Sequence, residues 1–264
     1  MPSLEIDGLQ VAYQRAGDGP SLVLLHGAIA DSRVWRPQIE ALSDEFTVVA
    51  WDAPGAGLSS DPPGPFGMAD WADVVAALIR VLRLGPSHIV GHSWGGSLGI
   101  EVYRRHPGAA ASLVLADTYA GWKGSLPATV CAERLEMALR TSAMSPDEVV
   151  AHLLPELLSG AALPHLAHEL AAIMSEFHPV GLRLMANAMA ETDLRDVLPR
   201  IDVPTLLLWG EADERSPLSI AQSMRDAIPG AELALIPGAG HDSNIEQPAR
   251  FSAEVRAFCR TASG

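Results

Sequence analysis

The stretch VGHSWGGSLG, residues 90–99, places Ser93 among Gly91, Gly95 and Gly96 at the end of an apolar run. The run SHIVGH is typical of a buried strand, and a helical pattern begins near Gly95. Small residues around a serine permit the strained backbone of a tight turn from strand to helix. Such a turn displays the Ser93 hydroxyl for chemistry. A glycine-rich structural turn is the alternative, and the rest of the chain decides between the two.

Short apolar runs alternate with helical segments along most of the chain. Continuous apolarity indicates strands that are covered on both faces, as in a parallel sheet. Between the runs, residues such as Trp71, Val75, Leu78 and Leu82 recur on one helical face. The pattern predicts an α/β fold in which helices connect parallel strands. The predicted strands are SLVLLHG (21–27), TVVAWD (47–52), SHIVGHS (87–93), ASLVLAD (111–117), PTLLLWG (204–210) and AELALIPG (231–238).

The alternation stops between Asp117 and Pro204, where about 80 residues have a helical pattern without a strand. We interpret this segment as a helical lid over one edge of the sheet. The prediction is a core formed by residues 1–118 and 199–264, with a lid formed by residues 119–198. Methionines in the lid serve either as helix-packing core or as an adaptable apolar pocket wall. They are Met137, Met144, Met174, Met185 and Met189.

Composition excludes several classes of partner. The 264 residues include 18 basic and 32 acidic side chains, and the net charge of -14 would repel nucleic acid or an anionic membrane. No apolar run reaches the roughly 20 residues of a membrane span, and the first ten residues lack the features of a signal peptide. We therefore expect a cytoplasmic protein that acts on a small molecule. Cys131 and Cys259 form no CxxC pair and are expected to be buried and inert.

Five motifs in order carry a resemblance to a known family. The sequence resembles the α/β-hydrolase superfamily, and specifically its serine branch, because the third motif holds serine where haloalkane dehalogenases and epoxide hydrolases have aspartate. The resemblance implies a mostly parallel central sheet flanked by helices, with a lid inserted after the sixth strand. Enol-lactonases, carboxylesterases and cofactor-free haloperoxidases are similar. The motifs are HGAIADSRVW (26–35), WDAPGAGLSS (51–60), GHSWGG (91–96), WGEADERSP (209–217) and GAGHDSNIEQP (238–248).

The resemblance assigns a catalytic triad. A serine hydroxyl such as that of Ser93 is a poor nucleophile at neutral pH and needs a base. His241 follows a late strand in the loop GAGH, where the family places its base. Asp213 matches the position of the acid that orients the base, giving the chain order Ser, Asp, His. Asp117 is the alternative acid, since some relatives carry it after the earlier strand. Asp242, next to the base, is expected to face outward.

An oxyanion hole is also implied. Attack on a carbonyl produces an oxyanion, which requires hydrogen-bond donors placed in advance. The backbone amide of Trp94, next to the nucleophile, is one candidate, and the resemblance implies the amide of Ala28 as the other. His26 and His92 are then expected to support loop structure rather than transfer protons. The residues predicted to line the substrate pocket are Trp94, Trp122, Met137, Met144 and Met189.

Two weaker signals point to other chemistry. His165 and His168, with His152 and Glu169 nearby, could form a metal-binding helix face. Polar residues on lid helices are the commoner explanation of such a group. The stretch APGAGLS (53–59) lacks the spacing of a glycine-rich phosphate loop. We expect neither a metal nor a cofactor.

These residues predict hydrolysis of a small-to-medium, largely apolar carboxylic ester or lactone through an acyl-enzyme on Ser93. A carbon–carbon bond hydrolase of vinylogous diketones is an alternative on the same scaffold. In a different class, the fold also serves non-hydrolytic ligand-binding proteins and cyclases. An iminopeptidase fits less well, because HGAIAD lacks the proline- and glycine-rich oxyanion loop of those enzymes. The sequence leaves the acyl group, the leaving group and the oligomeric state open.

Overall fold

A computed structural model describes residues 1–262 and contains an eight-stranded sheet in the order β1-β2-β4-β3-β5-β6-β7-β8. The first two strands pair antiparallel with their neighbours, and all the other pairs are parallel. The predicted, mostly parallel sheet is therefore confirmed. The strands are β1 (Ser3–Ile6), β2 (Leu9–Ala16), β3 (Ser21–Leu25), β4 (Thr47–Trp51), β5 (Ser87–His92), β6 (Ala110–Ala116), β7 (Thr205–Gly210) and β8 (Glu232–Ile236).

Two strands before β3 were implied by the strand count of the family, but the hairpin formed by β1 and β2 was not located in the sequence. Its turn consists of Asp7 and Gly8, which both have positive φ angles, 50° and 81°. An Asp-Gly pair in this conformation matches the right-handed twist of two antiparallel strands. The pairing of Ile6 with Leu9 closes the turn. An Asp-Gly pair between extended segments was therefore a readable signal for these two strands.

Each central strand faces two hydrophobic cores. In β3, Val23 and Leu25 belong to one core, whereas Leu22 and Leu24 belong to the other. This alternation between two buried faces explains why the strand sequences are continuously apolar. Helices α2, α3 and α9 cover the first face, and α1 and α11 cover the second. The helices are α1 (Arg36–Leu42), α2 (Met68–Val81), α3 (Trp94–Arg105), α4 (Trp122–Ser125), α5 (Ala128–Thr141), α6 (Pro146–Leu157), α7 (Pro164–Met174), α8 (Pro179–Glu191), α9 (Leu218–Ala227), α10 (Ser243–Glu246) and α11 (Pro248–Ala262).

Five α-helices, α4 to α8, lie between β6 and β7. Pro146, Pro164 and Pro179 are the first residues of α6, α7 and α8, where a proline costs no intrahelical hydrogen bond. These three prolines therefore mark the starts of helices, whereas Pro155 lies inside α6. We refer to α4–α8 as the lid helices. The division of the chain into core and lid stays a prediction, and residues 263 and 264 of the predicted core lie outside the described residues.

Neither cysteine is in a reactive environment. Cys131 and Cys259 are both buried, as predicted. Burial raises the pKa of the Cys259 thiol to about 12, so this side chain stays protonated.

In the part of the chain that the structure describes, none of the helices combines the length and apolarity that a membrane-spanning segment requires.

Candidate active site

Ser93 occupies a strained turn between β5 and α3. Its φ angle is 53°, in the left-handed region that residues with a side chain rarely adopt. The surrounding glycines are required because a side chain at these positions would collide with neighbouring backbone. A Cβ atom on Gly91 would lie 2.2 Å from the Gly95 carbonyl oxygen, and a Cβ on Gly95 would lie 2.2 Å from the Leu25 carbonyl oxygen. The serine is therefore held where the helix backbone closes against two strands.

The Ser93 hydroxyl lies at one end of a chain of hydrogen bonds. His241 Nε2 is 2.9 Å from Ser93 Oγ, and His241 Nδ1 is 2.9 Å from Asp213 Oδ2. The other Asp213 oxygen accepts hydrogen bonds from the amides of Arg215 at 2.9 Å and Ser216 at 2.8 Å. A carboxylate facing Nδ1 places the imidazole proton there. Nε2 is then free to accept the serine proton.

His241, the predicted base, is neutral at pH 7. Burial lowers the pKa of His241 below its ordinary value of 6.5, and the negative charge of Asp213 only partly opposes that shift. The side chains of His241 and Asp213 are 1% and 0% exposed. Because bulk water does not screen this pair, the carboxylate can stabilise the imidazolium that forms when His241 takes a proton.

Asp117, the alternative acid, forms hydrogen bonds with residues other than His241. Its Oδ1 accepts a hydrogen bond from the Gly210 amide at 2.7 Å, and its Oδ2 accepts one from Ser243 Oγ at 2.5 Å. Burial, reinforced by the charge of Asp213, raises the pKa of Asp117 well above its ordinary value. Asp117 thus ties the ends of β6 and β7 to α10, and the carboxylate hydrogen-bonded to His241 is that of Asp213.

His26 holds the peptide unit that carries the Ala28 amide. Its Nδ1–H donates to the Gly27 carbonyl at 2.7 Å, and its Nε2 accepts from the Ala53 amide at 3.0 Å. Burial lowers the pKa of His26, so the ring is neutral and acts as donor and acceptor at once. The Gly27 carbonyl and the Ala28 N–H belong to one rigid peptide plane. Fixing the carbonyl therefore fixes the direction of the N–H.

A similar contact holds the peptide unit after Ser93. The Thr118 hydroxyl donates to the Ser93 carbonyl, which shares its peptide plane with the Trp94 N–H. That N–H lies in the first turn of α3, where a helix leaves its amides without intrahelical partners. The Trp94 indole packs edge-on against Trp71, with ring centroids 5.1 Å apart. Within residues 1–262 the Trp94 N–H has no hydrogen-bond acceptor, so Trp94 combines an available backbone donor with a packed side chain.

A cavity of about 730 Å³ opens beside Ser93, between the elbow and the lid helices. Its lining includes four of the five predicted pocket residues: Trp94, Trp122, Met137 and Met189. The lining also contains Met185, Leu153, Leu170 and Leu182, which add apolar surface from α6, α7 and α8. The lid methionines have both of the expected positions. Met137, Met185 and Met189 line the cavity, whereas Met174 is fully buried in the second core.

Met144 is the exception, and its predicted position in the pocket is corrected. It lies in the turn between α5 and α6, where its amide donates to the Thr141 carbonyl at 3.0 Å. Its side chain is partly buried against the second hydrophobic core and is not part of the cavity lining. The direction of a side chain in a turn depends on how the two flanking helices pack, which sequence spacing does not show.

The lid histidines are not gathered around a common point. Within residues 1–262, no group of three or more His, Cys, Asp and Glu side chains is arranged to hold a metal ion. His152 Nε2 instead lies 3.1 Å from the sulfur of Met137.

The expectation that Asp242 faces outward was wrong. Its side chain is only 8% exposed, and its Oδ1 lies 3.2 Å from His92 Nε2. That nitrogen also donates to the His241 carbonyl at 2.9 Å, so His92 supports the loop of the base. The Asp242 amide donates to the Leu157 carbonyl at the end of α6. Asp242 is buried because the end of α6 packs against the loop that carries it.

Two arginines of the cavity were missed by the sequence analysis. Arg134, on α5, donates to Tyr119 Oη and to the Arg215 carbonyl, both at 2.7 Å. Arg215 forms an ion pair with Glu156 of α6 at 2.6 Å. These contacts join two lid helices to the loop that carries Asp213. No sequence signal identified them, because they depend on how the lid packs.

Comparison with known proteins agrees with this geometry. Residues 20–248 match the family described as the alpha/beta hydrolase fold. The chain belongs to the α/β-hydrolase family. The resemblance inferred from the five motifs is therefore confirmed.

Individual members of the α/β-hydrolase family are similar over nearly the whole chain. A putative carbamate hydrolase of Caulobacter sp. strain K31 is 29% identical, covering 98% of each chain. A thermophilic esterase from Thermogutta terrifontis has a TM-score of 0.90 at 29% identity, covering 98% of this chain and 97% of the esterase. The enol-lactonase of Burkholderia xenovorans LB400 has a TM-score of 0.90 at 25% identity, covering 98% of this chain and all of the other (100%). The protein is a hydrolase that acts on small molecules.

The elbow contacts make a prediction about stability. Gly95→Ala should lower the free energy of unfolding by about 2 kcal/mol or more, because its Cβ would overlap the Leu25 carbonyl. Gly99→Ala, in the same helix, is the matched control, since its Cβ would meet Ile89 at an ordinary 3.5 Å. The control should be unchanged or more stable by up to about 1 kcal/mol. Urea unfolding followed by circular dichroism measures both, and equal stabilities would contradict the account of the elbow.

Proposed function

We propose that the protein hydrolyses small-to-medium, largely apolar carboxylic esters or lactones through an acyl-enzyme on Ser93. The observation that carries the proposal is the hydrogen-bond chain from Ser93 Oγ through His241 to Asp213, at 2.9 Å for each step. Ser93 lies in the wall of a cavity to which α6, α7 and α8 contribute apolar side chains, so a substrate held there has its carbonyl beside the serine. Acyl transfer is the chemistry that uses a nucleophile, a base and an orienting carboxylate together.

In the first half-reaction, Ser93 Oγ attacks the substrate carbonyl carbon while its proton passes to His241 Nε2. The carbonyl oxygen becomes an oxyanion, and the amides of Ala28 and Trp94 donate hydrogen bonds to it. Asp213 stabilises the imidazolium without taking its proton. When the carbon–oxygen bond to the leaving group breaks, His241 gives the proton to the departing alkoxide. The products are the alcohol and an ester of Ser93.

The second half-reaction reverses these roles with water. His241 Nε2 takes a proton from a water molecule as its oxygen attacks the acyl carbon. The same two amides stabilise the second oxyanion. Cleavage of the bond to Ser93 Oγ returns the proton from His241 to the serine and releases the carboxylic acid. For a lactone the alcohol and the acid belong to one product molecule.

The cavity supports an acyl compound of modest size. A volume of about 730 Å³ lies within the range of small-molecule sites, roughly 300 to 1,000 Å³. The similar proteins are described as an esterase, an enol-lactonase and a putative carbamate hydrolase. Esters, lactones and carbamates all present a carbonyl carbon to a nucleophile, so the relatives support acyl transfer without fixing the leaving group.

Release of p-nitrophenol from acyl esters of increasing chain length tests this proposal. Ser93→Ala should lower kcat by a factor of about 10⁶. Asp213→Asn should lower kcat by about 10³ to 10⁴, because the neutral amide no longer holds the base in the correct tautomer. Asp117→Asn is the matched control. It should cost less than about tenfold, since Asp117 is not hydrogen-bonded to His241.

All variants are compared at equal folded concentration. Wild-type turnover by Ser93→Ala would refute the proposal. If the wild-type protein turned over none of the esters, the alternatives of diketone cleavage, cyclisation or ligand binding would take its place.

The buried base also sets the pH dependence. Only neutral His241 can accept the serine proton, and its pKa lies below the ordinary value of 6.5. For a neutral, apolar ester, kcat/KM should therefore be level near pH 7. On the acid side it should fall about tenfold per pH unit, with a midpoint below 6.5. A pH–rate profile measured between about pH 4.5 and pH 8 checks this. A midpoint above 6.5 would show that the Asp213 charge outweighs burial.

A further inference from the structure

A second carboxyl group lies beside the base, and the mechanism above does not use it. Asp242 directly follows His241 and lines the same cavity as Ser93. Its Oδ1 faces the N–H of His92 at 3.2 Å. Its Oδ2 accepts no hydrogen bond from any residue in the range 1–262, yet it is not among the buried polar atoms sealed from solvent. This oxygen is an acceptor left open to whatever fills the cavity.

The charge of this carboxyl is not neutralised by direct contact with a cation. Its neighbour His92 is neutral at pH 7, because burial lowers the pKa of that ring to about 4. Arg215 acts on Asp242 only through space, and its guanidinium forms an ion pair with Glu156 at 2.6 Å. An ionised Asp242 therefore carries a negative charge on a side chain that is only 8% exposed, where charge interactions are stronger than in water.

Several other groups act on Asp242 from the elements around it. Burial raises the pKa of Asp242 to about 7, and the charges of Asp213 and Glu246 add to that increase. The His241 and Arg215 side chains oppose it. The carboxyl thus changes charge across the neutral range, from a neutral group in mild acid to an anion in mild base.

We infer that Asp242 is a specificity-determining residue, which favours substrates with a hydroxyl or N–H donor beside the scissile bond and rejects substrates with a carboxylate there. A donor would fill the open hydrogen-bonding position of Oδ2, whereas a carboxylate would bring a like charge into an unscreened site. The inference rests on the proposed acyl transfer, and it specifies which polar groups the substrate carries beside the scissile bond. Asp242 is not assigned a role in moving protons.

A set of matched esters tests this inference. Methyl butyrate is the apolar reference, methyl 3-hydroxybutyrate carries a donor, and monomethyl succinate carries a carboxylate. The alcohol side is sampled by the 2-hydroxyethyl and carboxymethyl esters of butyric acid. Ester cleavage is followed by proton release at constant pH, and kcat/KM for each substituted ester is divided by the value for methyl butyrate. Because both values come from the same enzyme at the same pH, the titration of His241 cancels.

Two esters carry a carboxylate, monomethyl succinate on the acyl side and the carboxymethyl ester on the alcohol side. In the wild-type enzyme, the relative kcat/KM of at least one of them should fall several-fold between about pH 6 and pH 8, because Asp242 ionises over that range. At pH 8, Asp242→Asn should raise that ratio about tenfold and lower the ratio for the corresponding hydroxyl ester about fivefold. The asparagine retains an oxygen that can accept from His92. Methyl butyrate carries neither group, so within each enzyme it serves only as the internal reference for these ratios.

Glu214→Gln is the matched control, since it removes the same charge from an exposed side chain that also lines the cavity. Its ratios should change less than about twofold, because solvent screens that charge. The inference is overturned by wild-type ratios that do not change with pH. It is also overturned if Asp242→Asn leaves all ratios unchanged or lowers the turnover of every ester equally, as a purely structural role would. Ser93-dependent turnover of methyl butyrate separates either result from a failure of the proposed function.

Discussion

The close approach of backbone at Gly91, Gly95 and Gly96 is the constraint on which the site depends. With no side chains between them, α3 can begin immediately after β5 and force Ser93 into a left-handed conformation. The same contacts hold the first turn of α3 beside the end of β3. Ser93 and the Trp94 amide are therefore held by this packing, and His26 separately holds the peptide unit of the Ala28 amide, before any substrate is present.

The parallel sheet delivers the remaining groups to the same edge. Ser93 follows β5, Asp213 follows β7 and His241 follows β8, so three separate segments meet at the carboxyl ends of their strands. The segment after α6 contacts the loop of His241, the predicted base. Glu246 accepts hydrogen bonds from the amides of Gly240 at 2.7 Å and Ser159 at 2.9 Å. Movement of α6 would consequently reach the base as well as the cavity wall.

The features that the sequence predicted depend on residues close together in the chain, whereas most of those that it missed depend on contacts between distant segments. The strands, the elbow and the order of Ser93, Asp213 and His241 depend on local patterns, and the structure brings these three residues together. The Asp242 and Met144 environments depend on where the lid helices pack, and spacing along the chain carries no information about that packing. The β1–β2 hairpin was different, because its Asp-Gly turn was readable and was overlooked.

Covalent labelling of Ser93 tests the central claim most directly. A fluorophosphonate reacts only with a serine that a base has activated, so the intact protein should gain the mass of one phosphonyl group. Peptide mapping should place that group on Ser93, and His241→Ala should abolish labelling in a protein that is still folded. Labelling at another residue, or unchanged labelling without His241, would contradict an acyl-transfer site built on these two side chains.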